Sequence, residues 1–357
     1  MLTVAVDTRS LVDGSQHRGI GTYVANVVAG LEARDDVDVV RVPAAPDPGT
    51  GRVGQTVGWW RRELQLPSAI ARTGAAVFHS TGQHPPRRAA TPWVQTLFDV
   101  IPLVRSDPDM RPYRARWRRL APRYRRASAV IAISHAAAAD GITHLGLDPD
   151  RVHVVPCGVS PAFRPPTVRP VADIPYLLTV GAWGPHKGFA EATAVVTALA
   201  EAGYPHRLVM AGAGDPWSVA QVREVVARAG RPDRIDVAGF VDDIVPLYQG
   251  ATALISTSRA EGFGLPAAEA MACATPVVAF DNTAQPEVIG DGGILVADGD
   301  VGAMVTALRP LLDDERVWAE QSARARQRAA AFDWARTVDG HVEVYRRVLA
   351  SPAVDRR

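Results

Sequence analysis

Twelve short runs of β-branched and aliphatic residues recur along this chain, separated by longer amphipathic stretches, and that alternation admits few architectures. Parallel strands joined by crossover helices satisfy it, because each helix covers a face of the sheet that its flanking strands build. The first six runs are LTVAVD at 2–7, VDVVRV at 37–42, AAVFHS at 75–80, WVQTLFD at 93–99, AVIAIS at 129–134 and VHVVP at 152–156. A proline-rich stretch, FRPPTVRPVADIP at 163–175, reads as a linker, after which the alternation restarts. The second set is YLLTVG at 176–181, RLVMAG at 207–212, IDVAG at 235–239, ALIST at 253–257, PVVAF at 276–280 and GILV at 293–296, with helices expected near 301–312, 315–331 and 334–349. At 357 residues the chain also exceeds what one hydrophobic core usually organises. The expectation is an α/β protein of two doubly wound domains, residues 1–165 and 166–335. Ligands of such sheets bind beyond the carboxyl ends of the strands, so a cleft between the two is the expected site.

A hydrophobic share of 47% with 22% charged residues is that of a folded chain and excludes a disordered or fibrous one. No apolar run reaches the ~18 residues that span a bilayer, and MLTVAVDTRS reads directly as a strand, which sets the expectation of a cytoplasmic protein. Cys157 and Cys273 are too few for a disulfide framework or a cysteine metal site. The net charge of +1 hides a split: residues 1–165 carry 21 Arg against 14 acids, +7, and residues 166–357 carry 18 basic against 24 acidic residues, −6. A basic first domain is expected to face something anionic. Of the 39 basic residues only Lys187 is lysine, so that position reads as one that needs a compact ammonium rather than a planar guanidinium.

The most informative string is RAEGFGLPAAEAMACATPVVAF at 259–280. A strand leads through Glu261 and Gly262-Phe263-Gly264 into a helix beginning near Leu265-Pro266, where proline is comfortable in the first turn. The helix N-terminus makes an anion seat, and the glycines let a phosphate approach the backbone. Glu261 and Glu269, eight positions apart, fit hydroxyl groups of a nucleotide sugar beside that seat. The plainer alternative is a carboxylate favoured near a helix N-terminus and a solvated helix residue.

The string, with its Glu-x7-Glu spacing, resembles the nucleotide-binding signature of the retaining glycosyltransferases of family 4, which have the GT-B fold of two Rossmann-like domains. SHAAAADGITHLGLDPDRVHVVPCGVSPAF at 134–163, LLTVGAWGPHKGF at 177–189, LVMAGAGD, VAGFVDD, the terminal FDW and Tyr345, and DTRSL with RGIGTYV at 18–24 extend the similarity over essentially the whole chain. The resemblance implies a retaining transfer of a hexose, mannose among the candidates, from a GDP- or UDP-linked sugar to a glycan or lipid-linked acceptor hydroxyl, as in surface polysaccharide or glycolipid assembly, with no metal required. It further implies that Lys187 pairs with the donor diphosphate, that Glu261 lies near the donor sugar and that Glu269 binds the ribose. The amides of Phe263, Gly264 and Leu265 would lie over sugar and phosphates, Gly239, Phe240 and Val241 would hold the base, and Gly19 and Gly21 would bring a helix N-terminus to the diphosphate. A last helix at 336–357 is expected to pack back towards the first domain.

Two departures stand out. Where many members have an arginine after the glycine of the strand end, this chain has Ala182, with His186 before the lysine; a first-domain arginine such as Arg18 would then share the phosphate charge. Where many have His-Asp, it has Phe98-Asp99. Asp99 is the catalytic candidate on the acceptor side, the alternative being a turn-capping aspartate. His79 and His84 are further acceptor-side candidates, although a lone histidine is more often structural.

Residues 111–126, RPYRARWRRLAPRYRR, hold eight Arg and no acid, with Tyr113, Trp117, Leu120 and Tyr124 at helical spacing. Such a face, with Arg118 and Arg119 on it, fits an anionic membrane surface and a peripheral place at it, or a polyprenyl-diphosphate acceptor; it equally fits a helix that turns its aromatics inward. Nucleic acid fits worse, given the acidic second domain. The rivals to a transferase are a sugar-nucleotide epimerase of the same fold and a catalytically silent sugar-nucleotide-binding protein.

Overall fold

The structure is a computed structural model that describes residues 1–12, 19–42, 64–105, 110–170 and 172–351. Two units emerge: Met1–Gly158 with Trp334–Arg357, and Val159–Asp333.

The first unit is built on six parallel strands in the order β2-β1-β3-β4-β5-β6. They are β1 (Leu2–Asp7), β2 (Val37–Val42), β3 (Val77–Ser80), β4 (Trp93–Leu97), β5 (Ala129–Ala132) and β6 (Val152–Val154). β3, β4 and β5 are buried at every position, which is why they read in sequence as unbroken apolar runs rather than as alternation. The core joins Phe78, Leu97 and Val130 to Trp117, Leu120 and Tyr124 of the helix Arg111–Tyr124. Three of the four stripe residues therefore point inward, and Tyr113 alone is exposed. Full burial of a side chain of that size stabilises by about 1.5–3 kcal/mol, so the helix closes the core with its apolar stripe and keeps arginines outside. Pro122 sits near the end of this helix on its exposed side, where the amide it lacks is least missed.

The long C-terminal helix Trp334–Ala350 belongs to this unit. It is held by a buried chain of hydrogen bonds. His341 Nδ1 lies 2.7 Å from its own helix carbonyl at Thr337, which makes it the donor and leaves Nε2 to accept from the Tyr23 hydroxyl at 2.6 Å. The Tyr345 hydroxyl lies 2.7 Å from His79 Nδ1, and His79 Nε2 lies 2.8 Å from Thr96 Oγ1. Every polar atom of the two rings is thus partnered with both imidazoles neutral.

The second unit has six parallel strands in the order β12-β11-β10-β7-β8-β9. They are β7 (Tyr176–Val180), β8 (Arg207–Ala211), β9 (Ile235–Gly239), β10 (Ala253–Ser256), β11 (Val277–Asp281) and β12 (Ile294–Ala297). Read from its first strand this is the doubly wound order 3-2-1-4-5-6, whose direction of winding reverses between β7 and β10. Its core gathers Leu177, Leu208, Met210, Ile255, Val278 and Phe280 beneath Val195, Met304 and Leu308 of the covering helices.

The divisions fall at Gly158/Val159 and Asp333/Trp334, which corrects the limits expected at 165/166 and 335/336. Residues 159–165 join the second unit because the Val159 amide donates to the Phe332 carbonyl at 3.2 Å, Phe163 packs edge-on against Tyr248, and the Arg164 carbonyl accepts from Gln249.

Candidate active site

Where the second sheet reverses, two loops leave the carboxyl ends of β7 and β10, and they are stitched together by main-chain contacts. The β7 loop ends in a turn, Pro185–Lys187, followed by Gly188 at φ +64°. A side chain at 188 would place its Cβ 1.9 Å from the Thr257 carbonyl oxygen, so the close approach of the loops requires glycine. The Thr257 hydroxyl donates to the Lys187 carbonyl at 3.2 Å, and the Arg259 amide donates to the His186 carbonyl at 2.8 Å.

This scaffold buries Lys187 and sets its Nζ 2.7 Å from Glu261 Oε1. Burial pushes the Glu261 carboxyl up, but the Lys187 ammonium, its hydrogen bond, a hydrogen bond from Ser258 and the nearby His186 outweigh that and hold it below the ordinary range. The Glu261 amide donates to Thr283 Oγ1 at 2.9 Å, which fixes the carboxylate's backbone. Gly264, at φ +100°, then turns the chain into the helix Leu265–Ala272, where the Ala267 and Ala268 amides donate to the Gly264 carbonyl, Pro266 has no amide hydrogen, and the Leu265 amide precedes the first intrahelical acceptor. A pocket lined by Lys187, Ser258, Glu261, Gly264, Pro266 and Ala267, among others, brings ammonium, carboxylate and helix N-terminus together.

Glu269 lies one turn into that helix, partly buried, and its Oε2 accepts from the Tyr248 hydroxyl at 2.7 Å. Burial pushes its carboxyl up to about 7, against the lowering effect of that hydrogen bond. Phe263 is buried and packs edge-on against Phe332, leaving backbone rather than ring for a ligand. Leu265 is partly buried. Gly239 ends β9 at φ +71°, Phe240 is exposed and Val241 partly buried, so Phe240 is not a core residue.

Two family models match consecutive parts of the chain, "Glycosyltransferase Family 4" over residues 17–163 and "Glycosyl transferases group 1" over residues 174–314. The alpha-maltose-1-phosphate synthase of Mycobacterium tuberculosis is 30% identical over 381 aligned positions, covering 93% of this chain and 96% of the relative. The chain belongs to the family 4 glycosyltransferases. The serotype-specific mannosyltransferase WbdA of Escherichia coli is 27% identical over 73% of the chain, which spans only 34% of that longer protein. Among solved structures, the sucrose-phosphate synthase of Thermosynechococcus elongatus superposes with a TM-score of 0.80 at 20% identity, covering 99% of this chain and 100% of that one. The Anabaena protein HepE in complex with UDP and glucose gives 0.73 at 19% identity, covering 96% and 99%. These likenesses give the family 4 chain its GT-B architecture of two Rossmann-like units.

Within the first unit of this family 4 chain, Gly19 and Gly21 open the helix Gly19–Glu32, Gly19 exposed and Gly21 buried. Arg18 lies outside the described residues. Asp99 is partly buried just beyond β4, and its Oδ1 accepts from the Ile101 amide at 3.1 Å, the turn-capping contact. Phe98 is buried edge-on against Tyr23, with ring centroids 5.1 Å apart. His79 is fully buried in the hydrogen-bonded chain described above; it is a core histidine and not an acceptor-side lining residue, which corrects the expectation from sequence. His84 is partly buried and accepts from the Arg116 guanidinium, while Arg118 and Arg119 are exposed. Among the described residues no group of three or more His, Cys, Asp or Glu is placed to hold a metal ion, and no helix is long and apolar enough to cross a membrane.

Sequence reasoning missed Tyr248 and Thr283. Tyr248 is 21 positions from Glu269 on another helix, and Thr283 is 22 positions from Glu261 beyond β11. Neither separation follows a helical or strand period, so only the fold reveals these partners.

Proposed function

We propose that this chain transfers a sugar from a nucleoside-diphosphate donor to an acceptor hydroxyl with retention of configuration, the donor being seated in the second unit. The observation that carries this reading is the convergence of Lys187, Glu261 and the N-terminus of Leu265–Ala272 where the second sheet reverses. When the bond from the sugar carbon to the diphosphate breaks, negative charge grows on the leaving group. A preorganised ammonium and a helix N-terminus stabilise that charge without rearranging. Glu261 then accepts from donor-sugar hydroxyls and Glu269 from the ribose, while the amides of Phe263, Gly264 and Leu265 meet sugar and phosphate. Gly239, Phe240 and Val241 take the base. The UDP and glucose named for the HepE complex and the mannose named for WbdA support a hexosyl donor carried on UDP or GDP.

The acceptor is assigned to the first unit, with Asp99 as its carboxylate. The exposed arginines of the helix Arg111–Tyr124 and its neighbours Arg125 and Arg126 fit a lipid-linked or otherwise anionic acceptor, at the cytoplasmic face of a membrane. The test is the release of free nucleoside diphosphate from UDP-glucose and GDP-mannose, with and without candidate acceptors and in excess EDTA. Release that depends on acceptor and survives EDTA supports the reading. Isomerised nucleotide sugar without release would make the chain an epimerase, and binding without turnover a silent binding protein.

A further inference from the structure

The Tyr248 phenol is immobilised from three sides. It is fully buried in the short helix Val245–Gly250, its ring meets Phe163 edge-on with centroids 5.7 Å apart, and its own carbonyl accepts from Thr275 Oγ1 at 2.6 Å. Its hydroxyl has one place to go, Glu269 Oε2 at 2.7 Å. Glu269 stands on the helix that begins at the proposed diphosphate seat, so the contact ties a rigid group of one element to a titratable group of another. A carboxylate has two oxygens and about four acceptor sites. With Oε2 taking the Tyr248 hydrogen bond, acceptor sites remain on the second oxygen, Oε1.

We infer that Tyr248 is a positioning residue for donor binding: its hydrogen bond to Glu269 Oε2 holds that side chain in place so that the second carboxylate oxygen accepts from the ribose diol. The inference rests on the donor-site reading above. Burial works against ionisation of Glu269, and the phenol hydrogen bond is what opposes it. The other groups acting on this carboxylate are the Cys273 thiol just past the end of its helix, which burial pushes up to about 12, and the Tyr248 hydroxyl itself, pushed well up by burial and by Glu269; both stay protonated across the neutral range. Donor affinity therefore follows the ionisation of Glu269, rising with pH through about 7.

Calorimetric titration of UDP-glucose and GDP-mannose from about pH 5.5 to 8.5 tests this, because a sugar-linked diphosphate has no proton of its own to lose in that range. The expected results are a rise in wild-type affinity through about pH 7, its loss in Glu269→Gln, and its displacement to higher pH in Tyr248→Phe, with binding about tenfold weaker at neutral pH. In a Glu269→Ala background Tyr248→Phe should cost nothing further, since its effect passes through Glu269. Tyr248→Phe with wild-type affinity and an unmoved pH step overturns the inference, as does an equal loss in both backgrounds, which would mark a structural role. Wild-type binding by Glu269→Gln, or no binding of either probe by the unmutated chain, overturns the donor-site reading itself.

Discussion

Lys187 and Glu261 stand 74 residues apart in the chain and meet at 2.7 Å, with their side chains only 10% and 13% exposed. A pair this enclosed gains little net stability from its Coulomb attraction, because both ions give up hydration to form it. Its value lies in holding a compact cation beside a helix N-terminus. In a chain that otherwise uses arginine throughout, the one lysine is the residue paired with Glu261, and the proposed donor seat calls for its compact ammonium beside the phosphate. Lys187→Ala is expected to lower turnover by about 10² to 10³, and Lys187→Arg to remain impaired, when initial rates are measured at saturating donor. Unimpaired turnover in both would remove Lys187 from the mechanism.

Glu269 gives a stability prediction with an unusual sign. Its carboxyl is raised to about 7 in the folded chain, so between the ordinary glutamate range and about pH 7 the folded state binds more protons than the unfolded state. Stability contributed by this group is therefore full at low pH and is lost as pH rises through about 7. Glu269→Gln should melt higher than the unmutated chain at alkaline pH, by roughly 2–4 °C, with the gap closing towards the acid side. A calorimetric scan series across pH that shows no gap contradicts the assigned burial of this carboxylate.

The first unit behaves oppositely. Burial holds His341 near about 4, and burial together with neighbouring His341 holds His79 well below the ordinary histidine value. Both rings are neutral when folded and take protons more readily when unfolded. Their contribution is full above about pH 6.5 and drains away as pH falls towards 4. Amide protection in the helix Trp334–Ala350, corrected for the intrinsic pH dependence of exchange, should fall over that range, and His341→Asn should flatten the dependence. Protection that stays level between those limits would show that the His79, Thr96, Tyr23, His341 and Tyr345 chain does not hold the helix.

Exposed arginines on and beside the helix Arg111–Tyr124 should act on the acceptor side alone. Replacing Arg118, Arg119, Arg125 and Arg126 by glutamine keeps Trp117, Leu120 and Tyr124 in the core, and is expected to reduce co-sedimentation with anionic liposomes while leaving donor affinity unchanged. At about 1 kcal/mol per basic residue near such a surface, the loss is easily read. Equal sedimentation of the unmutated chain with neutral and anionic liposomes would return these residues to an ordinary solvated face.

Among the described residues, all twelve strands fall on runs read from the sequence; β3, β4 and β5, buried at every position, show why such strands are written as short β-branched runs. The turn into the helix Leu265–Ala272 was legible too, since Gly264 and Pro266 carry local rules about turns and first helical residues. What sequence could not supply was direction and distance. The stripe at 113, 117, 120 and 124 announced a helix but not that its buried side faces the unit's own core. His79 looked like a position near a ligand because it flanks a strand end, yet its bond to Tyr345, 266 residues away, puts it inside. Proline marked the linker region, while the boundary itself depends on a Val159 amide finding the Phe332 carbonyl.

The central claim, that Lys187, Glu261 and the Leu265–Ala272 N-terminus form a diphosphate seat, is tested most directly by comparing the calorimetric affinity of UDP and GDP with that of uridine and guanosine, in the unmutated chain and in Lys187→Ala. The account predicts that one of the diphosphates binds more tightly than its nucleoside by at least about tenfold, and that Lys187→Ala abolishes this difference while leaving nucleoside affinity where it was. Equal affinity for diphosphate and nucleoside in the unmutated chain, or an undiminished difference in Lys187→Ala, would contradict it.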